Sequence, residues 1–185
     1  MPFEQEPWIP ELGLTLLEKI ALSIPNCPLN RRVVDAAQFL LKQQFITEGL
    51  QPSRTPWFNM QPVFGPAIQI HGDLEANHCF TTFYRNFQVE IAQAFPVHIS
   101  PSVLKQIETI YRYVVPDALY YLQYHNVKPA EGPYDCVLYA IALAFEILND
   151  GDLSCTFDNS KMREHLVKCF MCREITEFPK ISQIS

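Results

Sequence analysis

Residues 133–151 read PYDCVLYAIALAFEILNDG, and this stretch decides how the rest of the chain must be arranged. From Cys136 to Leu148 it carries no charge before Glu146. A helix over these residues is therefore apolar around its whole circumference and belongs at the centre of a core. Asn149, Asp150 and Gly151 supply the stop. Pro133 and Tyr134 give an abrupt loop-to-helix entry, and Asp135 stands where an N-cap would accept a free backbone N–H.

Working outward, a last helix starting near Ser160 sets Met162, Leu166, Cys169 and Phe170 against Lys161, Arg163, Glu164 and Lys168. It is expected to cover the core from outside. Upstream, Leu119 to Val127 reads as a Tyr-rich strand, and Ser100-Pro101 opens a helix that stops before Pro116. The middle of the chain changes to a strand period: Ala67 to Ile70, Phe80 to Tyr84, and Phe87 through Ile91, with turns at Gly72-Asp73 and Arg85-Asn86. Two helices come first, Leu12 to Ile24 ended by Pro25, and Arg31 to Phe45 capped by Asn30. This order is α+β rather than a βαβ alternation.

The 185 residues, 48% hydrophobic and 18% charged, suit one domain with a real core. A net charge of −6 without clustered Lys and Arg argues against nucleic-acid binding by phosphate neutralisation and favours a protein or peptide partner. No stretch is long and apolar enough to span a bilayer, and MPFEQEPWIP does not have the pattern of a signal sequence, so an intracellular protein, nuclear or cytoplasmic, is expected. The six cysteines then read as free thiols.

A cysteine in the first turn of a buried helix lies at the positive end of the macrodipole, which favours the nucleophilic thiolate. Cys136 is on that ground a nucleophile candidate, and equally a small buried core residue. Thiol chemistry needs an imidazole, and spacing does not choose among His71, His78, His98, His125 and His165. Cys169-x-x-Cys172 with His165 and Cys155 has metal-ligand residue types, but one helical CxxC without a second pair does not define a zinc site, and no metal is expected. His71, at a strand end, reads as structural and solvent-facing, and the run Tyr111, Tyr113, Tyr120, Tyr121, Tyr124 as core and rim packing.

Tyr134-Asp135-Cys136 followed by the apolar helix, with Asn77-His78 opening an earlier strand, resembles the ubiquitin-like-protein proteases, which include the SUMO proteases and viral adenain. The segments LNRRVVDAAQFLLKQQF (29–45), EGLQP (48–52), AIQIH (67–71) and FDNSKMREHLVKCF (157–170) are similar to a branch of these domains found in mobile-element-derived proteins. The resemblance spans Leu12 to Phe178, implying a tail at 1–11, a catalytic domain at 12–178 and a tail at 179–185. It implies a papain-like cysteine-peptidase fold of the adenain and SUMO-protease type, with the buried helix against a small mixed sheet. It further implies Cys136 as nucleophile, His78 as general base, no cofactor, and hydrolysis after the C-terminal Gly-Gly of SUMO or a similar modifier.

The pattern departs from that family at four places. Cys79 replaces the Trp after the histidine, and Val137 the Gly after the cysteine. Ala130 stands where the oxyanion-hole Gln belongs. Val89 to Gln93 offers no Asp or Asn as the third residue, leaving Glu90, expected to face solvent, as the nearest carboxylate. These departures imply weak or lost activity, the alternative being an inactive pseudopeptidase that acts as a protein-binding module.

Overall fold

The protein was analysed as a computed structural model, which describes residues 6–73, 77–95, 98–125 and 127–182. In chain order its elements are β1 (Pro7–Ile9), β2 (Leu14–Thr15), α1 (Leu16–Ser23), α2 (Arg31–Gln44), β3 (Glu48–Gly49), β4 (Ala67–Asp73), β5 (His78–Arg85), β6 (Gln88–Ala92), α3 (Pro101–Tyr111), β7 (Gln123–Tyr124), α4 (Cys136–Leu148) and α5 (Asn159–Cys172). The main sheet runs β3-β4-β5-β6-β7, with parallel outer pairs and antiparallel inner ones. It is a mixed sheet in an α+β fold, as the residue order requires.

The sheet divides the core in two. Strand alternation on β5 sends Cys79 and Phe83 to one side, where they join α2, α4 and α5, and Phe80 to the other, beneath α3. The Thr81 hydroxyl points to the α4 side and donates to the Ala140 carbonyl (2.9 Å). Every residue of α4 from Cys136 to Ile147 is buried, which is the burial its all-apolar surface demands.

Several boundaries differ from expectation, each for a local reason. The first helix begins at Leu16 rather than Leu12, because Leu14–Thr15 pairs with Pro7–Ile9 and Thr15 caps the helix. Glu18 accepts the Thr15 N–H (2.7 Å) while Thr15 Oγ1 accepts that of Leu17 (3.3 Å), a capping box written in the sequence as Thr15-x-x-Glu18. Both end segments, where described, are tied into the fold. Pro7–Ile9 is a strand, and the Ile181 N–H donates to the Thr156 carbonyl (2.8 Å) while Lys180 reaches the buried Glu146 carboxylate (3.0 Å). The expected turn at Gly72-Asp73 is strand: β4 runs on to Asp73, which pairs with His78, the first residue of β5. The expected strand from Leu119 shrinks to Gln123–Tyr124, since Asp117, with φ of 55°, turns the chain just before it.

The β5–β6 turn also moves by one residue, to Asn86-Phe87, both left-handed (φ 51° and 64°), between the paired Arg85 and Gln88. Two-residue hairpins with two positive φ values favour Asn-Gly, so Phe87, 88% exposed, carries strain without burial. Phe87→Gly is expected to stabilise the fold by about 0.5–1 kcal/mol. A rise in the thermal midpoint tests this, and a fall would show that the phenyl ring is held by contacts worth more than the strain.

Candidate active site

The first residues of α4 and β5, Cys136 and His78, line the same cavity of about 390 Å³. Both come from element ends, where side chains reach a cleft while the backbone stays anchored in the core. His78 starts on the α3 side of the sheet: its ring stacks on Phe80 (centroids 5.6 Å, 21°) and meets Phe95 edge-on (6.4 Å). Cys79, next along β5, points the other way and packs with Cys136.

Burial raises the Cys136 thiol above its ordinary pKa. The backbone N–H groups of Cys79, Val137 and Cys136 itself pull it back down, and the charge of Asp135 adds to the rise. Desolvation thus outweighs the helix terminus, and the bias towards thiolate expected from position alone is not realised in the resting site. Cys79 is pushed up further by full burial.

His78 finds its partner in a residue absent from the sequence-based candidates. Nε2 lies 3.2 Å from the side-chain oxygen of Gln93, just past the end of β6. With that oxygen accepting, Nε2 carries the proton and Nδ1 keeps the lone pair. Burial lowers the His78 pKa, and the Gln93 bond and the charge of Asp73 oppose this in part. Glu90 neither reaches His78 nor faces solvent. It is largely buried and pairs with His125 (2.7 Å) and Arg85 (3.4 Å).

Asp135 does not cap α4 with its side chain. It is 2% exposed and bound by Arg163 (2.9 Å) and by the Asn159 amide (3.2 Å). Arg163 also donates to the carbonyls of Ala21 and Cys27 (both 2.8 Å), so one guanidinium ties α1, the following loop and α5 to the residue before the thiol. A Cβ at Gly132 would lie 2.3 Å from Asp135 Oδ2, so only glycine leaves room for this arrangement.

The remaining candidates lie elsewhere. Ala130 is buried and uses its N–H on the Ala94 carbonyl (3.3 Å), offering no side-chain donor to the cleft. Val137 lines the cavity beside Cys136. The tyrosines split: Tyr111 is fully buried under the sheet, whereas Tyr113, Tyr120, Tyr121 and Tyr124 are exposed. His165 and Cys169 both turn to Thr176. Among the described residues no three His, Cys, Asp or Glu side chains are grouped to hold a metal ion, and no helix is long and apolar enough to cross a membrane.

His71 is not solvent-facing but fully buried, because β4 continues beyond it. Tyr111 donates to Thr82 (2.8 Å), Thr82 to His71 Nε2 (2.8 Å), and His71 Nδ1 to Gln106 (3.0 Å), a chain that suits the neutral ring. Burial, opposed weakly by Gln106 and Asp73, lowers its pKa from 6.5 to about 4. Between these values the unfolded chain binds a proton that the folded one refuses, so stability is complete above pH 6.5 and is lost as pH falls towards 4. From pH 7 to pH 5 the loss is expected to be about 2 kcal/mol in urea unfolding. His71→Gln should flatten that slope, and an unchanged slope would remove His71 as its source.

Sequence comparison matches the chain to no family profile and to no curated protein. Comparison of structures does find relatives. The SUMO protease Ulp1 with its catalytic cysteine oxidised to a sulfonic acid matches at a TM-score of 0.69 and 10% identity, over 88% of this chain and 85% of that one. The Ulp1 protease domain in complex with Smt3, the yeast ortholog of SUMO, matches at 0.64 and 10% identity, over 86% and 83%. A form with the cysteine oxidised to a sulfenic acid matches at 0.64 and 12% identity, over 86% and 84%. What these chains share with this one is the SUMO-protease fold.

Proposed function

We propose that this protein is a cysteine-type peptidase or isopeptidase that cleaves after the C-terminal Gly-Gly of a ubiquitin-like modifier. The observation that carries the reading is one cavity lined by both a cysteine at the start of a buried helix and a histidine whose Nε2 is held by the Gln93 amide. The SUMO-protease fold supports the choice of substrate class, since a solved relative is bound to a SUMO ortholog.

In the proposed reaction the Cys136 sulfur attacks the scissile carbonyl carbon as its proton passes to His78 Nδ1, forming the C–S bond and an oxyanion. His78 returns that proton to the departing amine as the C–N bond breaks, leaving a thioester. Water, deprotonated by His78, then attacks the thioester and releases the carboxylate with the thiol restored. In this reading the free backbone N–H groups of the first turn of α4, that of Cys136 among them, are the local donors to the oxyanion. With no Gln at position 130 to add a side-chain donor, a rate below that of a fully equipped site follows.

The deciding experiment treats the protein with ubiquitin and SUMO bearing a C-terminal electrophile. A covalent adduct by mass that Cys136→Ala abolishes is the expected result. Absence of any adduct while the modifier still binds would sink the enzymatic reading and leave a binding module.

A further inference from the structure

Two cysteines meet in the cavity. Cys136 and Cys79 both line it, 9% and 4% exposed, and both are free thiols. Neither Cys27, Cys155, Cys169 nor Cys172 is among the described lining residues. Cys79 stands where the resemblance places a Trp, so a second thiol beside the nucleophile is a feature of this chain's own sequence. The peptidase reading uses Cys136 and leaves Cys79 without a role.

The packing of α4 on β5 sets the pair face to face. Thr81 Oγ1 donates to the Ala140 carbonyl (2.9 Å), which fixes where strand and helix touch. Two residues back along the strand, about 6.5 Å, Cys79 lies on the same face as Thr81. Four residues back along the helix, about 6 Å, Cys136 lies on the same face as Ala140. The steps nearly match, so Cys79 and Cys136 repeat the contact of Thr81 with Ala140 one register earlier, at the mouth of the cavity. The Cys79 N–H reaches the Cys136 sulfur from the same side. Such a close, facing approach is what a disulfide requires.

We propose that Cys79 and Cys136 form a reversible disulfide when the protein meets a hydroperoxide, a modification that closes the active site and guards its nucleophile against irreversible oxidation. The inference rests on the peptidase reading, in which His78 takes the Cys136 proton. The Cys136 thiolate attacks the peroxide and the O–O bond breaks. Sulfur gives up two electrons to become a sulfenic acid, and the other oxygen leaves as an alcohol or water with the proton from His78. The Cys79 sulfur then attacks the sulfenic sulfur; the S–O bond breaks, the S–S bond forms, and hydroxide departs with the Cys79 proton as water. This second step is internal to the protein, so burial of Cys79 does not impede it. Cys136 has to meet the oxidant, through the cavity it lines. Full burial holds the Cys79 thiol protonated at rest, which keeps it from competing with Cys136 for substrate or peroxide. A neighbouring thiol captures the sulfenic acid before a second peroxide arrives, and reduction returns both thiols.

The test exposes the reduced protein to a small excess of hydrogen peroxide, measures its intact mass, blocks the remaining thiols with N-ethylmaleimide after denaturation, and maps the peptides. The expected result is a mass lower by two hydrogen atoms and a peptide that joins Cys79 to Cys136. Labelling by ubiquitin or SUMO bearing a C-terminal electrophile should be lost on oxidation and recovered with dithiothreitol. In Cys79→Ala, which removes a small buried group, Cys136 should pass on to the sulfinic acid and labelling should not return. The peptide map of the parent decides the link whatever the stability of the variant. Cys136 found in the parent as sulfinic or sulfonic acid, joined to any other cysteine, or unoxidised overturns the proposal, as does recovery in Cys79→Ala equal to the parent's. An adduct on the reduced protein without the Cys79–Cys136 link fails the disulfide alone, and the link without an adduct fails the peptidase reading alone.

Discussion

Arg163→Ala is expected to destabilise the protein by about 3–5 kcal/mol, because it leaves a buried carboxylate without its counter-ion. Asp135 is 2% exposed, and its remaining side-chain partner would be the Asn159 amide at 3.2 Å. The Ala21 and Cys27 carbonyls lose their donor in the same change. A partner removed from a buried pair costs far more than the pair contributes net, so the double variant Asp135→Ala, Arg163→Ala should be less damaged than the sum of the single ones. Urea unfolding of the three variants measures this. A cost for Arg163→Ala under about 1 kcal/mol, the range of exposed pairs, would show that the enclosure is looser than described. Asp135 immediately precedes Cys136, so electrophile labelling should also slow in Arg163→Ala protein that remains folded.

How much of this was legible follows from the range of each interaction. The buried α4 is readable because an unbroken apolar run has one solution in a globular chain, and α2 because Asn30 marks its start. The capping box at Thr15 was equally local, yet the apolar spacing from Leu12 suggested a longer helix than the paired β2 allows. The site is less legible because its supports come from elsewhere in the chain. Arg163 meets Asp135 only once α5 is folded across α1, and no local pattern announces that pair. His71 reads as a strand-end residue only while Gly72-Asp73 reads as a turn; pairing of Gly72 with Cys79 buries it. Gln93 lies in the segment where the resemblance places an acid, and residue type alone does not mark a Gln as the partner of His78.

Gln93→Glu is expected to raise the reactivity of Cys136 at neutral pH on the order of ten- to a hundredfold, by putting a carboxylate where the amide now meets His78. In the protein as it stands burial lowers the His78 pKa and raises that of Cys136, so the resting pair is neutral imidazole and thiol. Gln93 fixes the tautomer, since its oxygen accepts from Nε2 at 3.2 Å, but it brings no charge to favour the imidazolium formed as the thiol is deprotonated. In a serine-protease triad, exchanging the carboxylate for its amide costs about 10⁴ in kcat. The reverse exchange in a cleft partly open to water should recover a smaller part of that factor. The rate of alkylation by iodoacetamide as a function of pH reads the effect directly. The parent should show a single limb rising above the ordinary thiol range, and Gln93→Glu a limb displaced to lower pH, as an imidazolium stabilises the thiolate beside it. Gln93→Ala should slow labelling at every pH, since nothing then holds the ring in the required tautomer. An unshifted limb in folded Gln93→Glu protein would mean that His78 and Cys136 share a cavity without sharing a proton, and the chemistry assigned to them would have to be given up.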